Sequence, residues 1–156
     1  MSLTVREATV DDVVGLGVMR APDEAAGPAD PRMARYLLGD HHPRLALEER
    51  VIVLAEVDGA VVGYTGGHRT TRYDCDGELQ YLYVAPQHRR TGVAGEMIRS
   101  LAEWFERHDV RRVCVDVVPE NERARAFYAK HGAVELNPHW MVWDDLPVSL
   151  GVATRP

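Results

Sequence analysis

Residues 3–8 alternate apolar and polar side chains, which predicts a half-buried first strand. Residues 51–57 and 60–68 are two apolar runs joined by Asp58-Gly59, a pair suited to the tight turn of a hairpin. A turn around Cys75-Asp76-Gly77 leads into a further strand over residues 78–84. The period then changes: Ala94, Met97, Ile98, Leu101, Ala102 and Phe105 recur at helical spacing. Residues 113–118 form a short β-branched run, broken by Pro119-Glu120-Asn121-Glu122, where Asn121 is placed to cap a helix. That helix covers residues 122–131, with Ala124, Phe127 and Tyr128 on one side and Gly132 as its C-cap. Residues 135–144, rich in Trp140, Val142 and Trp143, read as a last strand.

Two stretches are less regular. Thr9-Val10-Asp11-Asp12 reads as the cap of a helix reaching to around residue 19. Residues 21–47 are punctuated by Pro22, Gly27, Pro28, Pro31 and Pro43, and hold a helix over residues 32–38. The resulting order, β-α-(α)-β-β-β-α-β-α-β, fits a mixed α/β sheet. Residues 1–146 are expected to form a single domain, and residues 147–156 a tail that frays or docks on a partner. With 156 residues the chain falls within the roughly 100–200 of an ordinary domain, enough to bury a core without disulfides or a structural metal.

Charge and cysteine usage narrow the function classes. A formal charge of −6 disfavours nonspecific nucleic-acid binding, which depends on phosphate neutralisation, and is compatible with attracting a cationic amine. Basic residues are almost all arginine, with Lys130 the only lysine, which reads as genome composition. Cys75 and Cys114 are too few for a disulfide framework and fit no metal-ligand spacing, so no metal is expected. Cys114 belongs to an apolar run and is expected to be inert core; Cys75, in a turn, is open to exposure. No apolar run approaches the ~20 residues of a membrane span, and the N-terminus has no signal-peptide pattern. No membrane partner is expected, and the cytoplasm is the default location.

The chemistry concentrates where the strand ending at Val84 meets the helix over residues 94–105. The loop between them carries Arg89, Arg90, Thr91, Gly92, Val93, Ala94 and Gly95. A helix N-terminus leaves backbone N–H groups unpaired and carries partial positive charge, and glycines admit a ligand close to the main chain. The element therefore reads as a pyrophosphate cradle. Arg89 and Arg90 add charge-assisted donors, and a bound anion would relieve two cations at the electrostatically unfavourable helix end. No Gly-Lys-Ser/Thr follows, so this is not a Walker loop, and it lacks the dinucleotide Gly-x-Gly-x-x-Gly.

Arg89-x-x-Gly92-x-Ala94, following Leu82-Tyr83-Val84, resembles the acetyl-CoA-binding motif of the GCN5-related N-acetyltransferases (the GNAT family). The string from Asn121 through Phe127-Tyr128 to Gly132 is similar to a second segment of that family, in the family's order. The resemblance covers nearly the whole chain, most specifically residues 78–95 and 121–132. It implies the GNAT acyl-CoA N-acyltransferase fold, a mixed, mostly antiparallel sheet of about six or seven strands flanked by about four helices. It also implies that the cradle strand and the next strand splay apart around the pantetheine arm. A β-bulge commonly produces such a separation. Cofactor contacts are then expected at Leu82, Tyr83, Val84, Arg89, Arg90, Thr91, Gly92, Val93, Ala94, Gly95, Glu96, Asn121 and Tyr128, with backbone groups of Leu82 and Val84 pairing with the pantetheine amides.

The implied activity is transfer of an acetyl group from acetyl-CoA to a primary amine, a small molecule in preference to a protein, by direct attack. Such a reaction needs a base for the amine, an acid for the thiolate, and close positioning of the two reactants. Backbone N–H groups near the thioester oxygen would stabilise the charge that develops there. By the resemblance Tyr128 sits beside the coenzyme sulfur as the acid; it also reads as a residue packed with Phe127 on the sheet. Glu78 is the candidate base, and a period of two puts Glu78, Gln80, Leu82 and Val84 on one face. His68, Tyr81 or a water relay are alternatives.

The other histidines and the aromatic strand carry blander readings. His41-His42 reads as a solvated turn, His88 as cradle mouth or solvent, and His131 as a helix-end residue. His139, Trp140 and Trp143 border the acceptor, the core or a homodimer interface. Acceptor specificity is expected in residues 21–47 and 69–77, where Asp23, Glu24, Asp30, Asp40 and Asp74 hint at a cationic acceptor. Acetylation of a protein N-terminus or lysine, and a noncatalytic acyl-CoA sensor, are the alternative functions.

Overall fold

The computed structural model describes residues 2–13, 31–39 and 42–155. Within them the elements run β1 (Leu3–Glu7), α1 (Val10–Val13), α2 (Pro31–Leu38), β2 (Ala46–Val57), β3 (Ala60–Thr70), β4 (Gly77–Val84), α3 (Val93–Arg107), β5 (Val113–Asp116), α4 (Glu122–Lys130), β6 (Val134–Asn137), β7 (Trp140–Trp143) and α5 (Leu146–Ser149). Single 3-10 turns occupy Arg72–Asp74 and Pro86–His88. The expected continuation of α1 to residue 19 lies outside the described residues.

One seven-stranded sheet has the order β1-β2-β3-β4-β5-β7-β6. Only β4 and β5 pair parallel; the other neighbours are antiparallel, as the expected fold class requires. The β2–β3 hairpin turns on Asp58 (φ 51°) and Gly59 (φ 85°), both in the left-handed region that matches strand twist. Two layers cover the sheet. On one face α3 buries Met97, Ile98, Leu101, Ala102, Trp104 and Phe105, against Val51, Val53, Leu79, Val113 and Val115 among others. On the other, Tyr36 of α2 packs with Ile52, Leu54, Tyr64 and Tyr83.

A bulge interrupts β4. Gly66 pairs with Tyr81 and Gly67 with Leu79, so Gln80 is an extra residue on β4. The Thr65 hydroxyl donates to the Tyr81 carbonyl at 2.6 Å beside it. Pairing of β4 with β5 stops at the same place: it covers Gly77, Glu78 and Leu79 against Val113, Cys114 and Val115 only. From Gln80 to Val84 β4 has no pairing with β5, which agrees with the splay that the family resemblance implies.

The bulge corrects the expected facing. Leu79 lies in the α3 core, while Tyr81 contacts Tyr36 on the opposite face. Glu78 sits with His68 on the Tyr36 side, whereas Leu82 and Val84 pack with Val93 and Met97 of α3. One inserted residue breaks the period of two, so Glu78 and Leu82 do not share a face.

Three other expectations change. The last strand is a hairpin, β6 and β7, with a register shift between Glu135 and Asn137. The segment after residue 146 is not frayed. Asp145 caps α5 by accepting from the Val148 amide at 3.1 Å, and Leu146 is fully buried. Arg155 then returns to Glu106 of α3 at 2.6 Å. Cys75 is buried with Cys114, Trp140 and Val142 rather than exposed, because its turn folds under the aromatic strand. Cys114 is core, as expected. No described helix is long and apolar enough to cross a membrane.

Candidate active site

The gap between β4 and β5 opens into a cavity of about 1210 Å³ that runs from the N-terminus of α3, past α4, to the turn before β4. Leu82, Tyr83, Val84, Arg89, Arg90, Gly92, Ala94, Gly95, Asn121 and Tyr128 all line it, and so does Glu78. Thr91, Val93 and Glu96 lie outside its wall. The Thr91 hydroxyl donates to the His88 carbonyl, Val93 is buried in the core, and the Glu96 amide closes the first turn of α3 on the Gly92 carbonyl at 3.1 Å.

The cradle end is built by local backbone geometry. Gly92 caps α3 at φ 88° without a side-chain cap. Its carbonyl is taken by Glu96, and the amides of Val93, Ala94 and Gly95 precede any intrahelical acceptor. Three open N–H groups at the positive end of a 15-residue helix fit an anionic phosphate. Arg90, at φ 63°, is exposed beside them. Arg89 Nε donates to the Val84 carbonyl at 2.8 Å, and its guanidinium lies 5.8 Å from the Tyr83 ring centre. This bond ties the loop to the end of β4 and occupies a strand-edge acceptor that the family resemblance assigns to the coenzyme.

The wall opposite β4 comes from α4. Asn121 accepts from the Ala124 amide at 3.1 Å and so starts this helix. Tyr128 is buried, with its ring edge-on to Phe127 and to Trp143. Burial pushes its phenol well above the usual value of 10.0, so the hydroxyl keeps its proton. Tyr128 therefore packs with Phe127 in the core and also lines the cavity. His131 lines the cavity beside Gly95; burial, with Lys130 adding, lowers its pKa below the usual 6.5.

Glu78 ends a buried polar chain. Its Oε1 accepts from Arg72 Nε at 3.1 Å and faces His68 Nε2 at 3.6 Å. His68 is wholly buried, and its Nδ1 lies 2.7 Å from the Tyr36 hydroxyl. Burial raises the Tyr36 phenol well above its ordinary range, so that hydroxyl stays protonated. Gln80 also lines the cavity, and its buried Oε1 has no hydrogen-bond partner among the described residues.

Sequence reasoning missed Tyr36, Arg44 and Arg72. Arg72 Nη2 donates to the Arg44 carbonyl at 2.7 Å, and its guanidinium lies 4.7 Å over the Trp140 ring. These residues belong to the stretches whose spacing carries no periodic signal. Of the aromatic candidates, Trp140 lines the cavity, Trp143 is core and His139 is exposed. His88 lines the cavity, and His42 Nδ1 accepts from Arg50 Nη2 at 2.7 Å. His41 lies outside the described residues. Among the described residues no group of three or more His, Cys, Asp or Glu is placed to hold a metal ion.

Known proteins share this architecture. The model of the acetyltransferase (GNAT) family matches residues 16–133. An uncharacterised N-acetyltransferase of Mycobacterium tuberculosis is 31% identical over 112 residues, covering 72% of this chain and 69% of that protein. A GNAT-family crystal structure from Desulfovibrio desulfuricans superposes with a TM-score of 0.71 at 16% identity, over 93% of this chain and 99% of that one. The Salmonella typhimurium protein yncA, solved with its cofactor acetyl-CoA, gives 0.65 at 17% identity, over 94% and 95%.

Proposed function

This chain belongs to the GNAT family of acetyltransferases, and on that footing we propose that it transfers the acetyl group of acetyl-CoA to the primary amine of a small molecule by direct attack. The observation that carries this reading is the single cavity shared by the open α3 N-terminus, the β4–β5 gap, Tyr128 and Glu78.

The cradle residues fit the coenzyme's pyrophosphate. The open amides of Val93, Ala94 and Gly95, together with Arg90, bind it, and the unpaired edge of β4 beyond Gln80 receives the pantetheine arm as if it were a further strand. Coenzyme and amine are held together in the gap, which removes most of the entropic cost of their encounter. Glu78 takes a proton from the incoming ammonium, directly or through a water molecule. The freed nitrogen lone pair then forms the C–N bond, the carbon–sulfur bond breaks with its electron pair on sulfur, and the surplus proton on nitrogen leaves to solvent to give the neutral amide. Tyr128, kept protonated by burial, supplies the proton that sulfur needs and recovers one from solvent.

Thiol release from acetyl-CoA against aminoglycosides, polyamines, amino acids, arylalkylamines and peptides tests the proposal. A small amine that is acetylated, with turnover lost in Tyr128→Phe while coenzyme binding persists, supports it. Acetylation of peptides alone contradicts the small-molecule acceptor. Coenzyme binding without turnover on any amine points instead to a sensor.

A further inference from the structure

Resting on that reading, we propose that the acceptor is an α-amino acid, its carboxylate held by Arg72 and its amine brought to Glu78. The part of the cavity around Glu78 is lined by Arg44, Arg72, Gln80, Asp116 and Trp140. Arg72 is fixed within it on three sides. Nε donates to Glu78 Oε1 at 3.1 Å, Nη2 donates to the Arg44 carbonyl at 2.7 Å, and the guanidinium lies 4.7 Å over Trp140. Its side chain is only 16% exposed, and Nη1 has no acceptor among the described residues. A guanidinium already ordered by its surroundings, with donors left over on a cavity wall, suits a carboxylate. Arg44, exposed on the same wall, is a second cation there.

Acceptors for the amine lie next to this anchor. Glu78 touches Arg72 directly, and Gln80, whose buried Oε1 has no donor among the described residues, belongs to the same cavity lining. A ligand that engages both groups must carry its amine and its carboxylate only a bond or two apart. An α-amino acid does; a peptide N-terminus has replaced that carboxylate by an amide, and a polyamine has none. Charge agrees, because Arg44 and Arg72 balance Glu78 and Asp116 as a zwitterion requires. A polycation would meet two arginines at this wall. Of the acidic residues that hinted at a cationic acceptor, Asp23, Glu24, Asp30 and Asp40 lie outside the described residues, and Asp74 is exposed.

The test compares each of several α-amino acids with its amide and its decarboxylated amine. Thiol release gives kcat/KM, and calorimetry on the protein–CoA complex gives binding. The expected result is a preference for the amino acid of about tenfold or more, the scale of a charge-assisted hydrogen bond. This preference runs against the amide's more easily deprotonated amine. Arg72→Gln is expected to collapse the ratio of amino acid to decarboxylated amine, and Arg44→Gln to reduce it; the Arg44 side chain is exposed and makes no hydrogen bond or ion pair among the described residues. Acetylation of amide and decarboxylated amine as readily as the amino acid overturns the inference while leaving the acetyltransferase reading intact. Failure of every amine to release thiol counts against that reading instead. Calorimetry then decides the inference: carboxylate-dependent, Arg72-dependent binding upholds it, and equal binding across each trio overturns it.

Discussion

His68 Nε2 lies 3.6 Å from Glu78 Oε1, and the two side chains are 0% and 5% exposed. The histidine is held from behind by the Tyr36 hydroxyl at 2.7 Å, so three residues from α2, β3 and β4 act as one unit. Removing His68 leaves a buried phenol without its hydrogen-bond partner, at about 1–3 kcal/mol. For a domain of this size that lowers Tm by roughly 2–4 °C per kcal/mol. A thermal melt of His68→Leu is expected to show this loss. Adding Tyr36→Phe is expected to recover part of it, because the stranded hydroxyl goes too. Strict additivity of the two substitutions would contradict the coupling.

Glu78→Gln keeps the volume and can still accept from Arg72, but it cannot take a proton. Its kcat is expected to fall by about a hundredfold or more, within the range of general-base catalysis. Acetyl-CoA affinity, measured by calorimetry, is expected to hold, because the cradle is at the other end of the cavity.

In the proposed mechanism Tyr128 acts in its protonated form. Burial raises its pKa above 10.0, so the acid persists as pH rises through the neutral and mildly alkaline range. A kcat profile from pH 7 to pH 10 is therefore expected to show no alkaline fall that depends on Tyr128. Tyr128→Phe is expected to lower the whole profile by roughly a hundredfold without moving its limbs. An alkaline limb that vanishes in the variant would show a phenol titrating in range.

The cradle makes a separate prediction. Arg90→Ala removes an exposed cation beside the open amides and is expected to weaken acetyl-CoA binding about tenfold. Gly92→Ala forces a side chain to φ 88°, a strain of about 1 kcal/mol or more. It is expected to lower both Tm and coenzyme affinity. Unchanged affinity in both variants would remove the phosphate from this site.

Leu146 tests whether the C-terminal segment belongs to the core. It is fully buried, its amide donates to the Arg111 carbonyl at 2.8 Å, and it contributes to the α3 cluster. Leu146→Ala is expected to cost about 2–5 kcal/mol in denaturant unfolding. A loss below 1 kcal/mol would mean that the segment is loosely attached.

The elements with strong periodic signals were legible in the sequence. Asp58-Gly59 located the hairpin, Met97 through Phe105 located α3, and Asn121 located the start of α4. Arg89 through Gly95 located the loop that opens α3 with its unpaired N-terminal amides. The acceptor end was not legible, since Tyr36, Arg44 and Arg72 are brought together by tertiary folding alone. Facing failed at β4 for a definite reason: Gln80 bulges out, and no local residue pattern announces it. Asn137, which marks the break between β6 and β7, was hidden by the aromatic run around it.

The most direct measurement is initial velocity over a grid of acetyl-CoA and acceptor concentrations. Attack within one shared cavity predicts amine-dependent thiol release with reciprocal plots that intersect, and loss of that release in Glu78→Gln. Parallel plots, or acetyl transferred onto the protein before the amine is added, would contradict direct attack and the roles assigned to Glu78 and Tyr128.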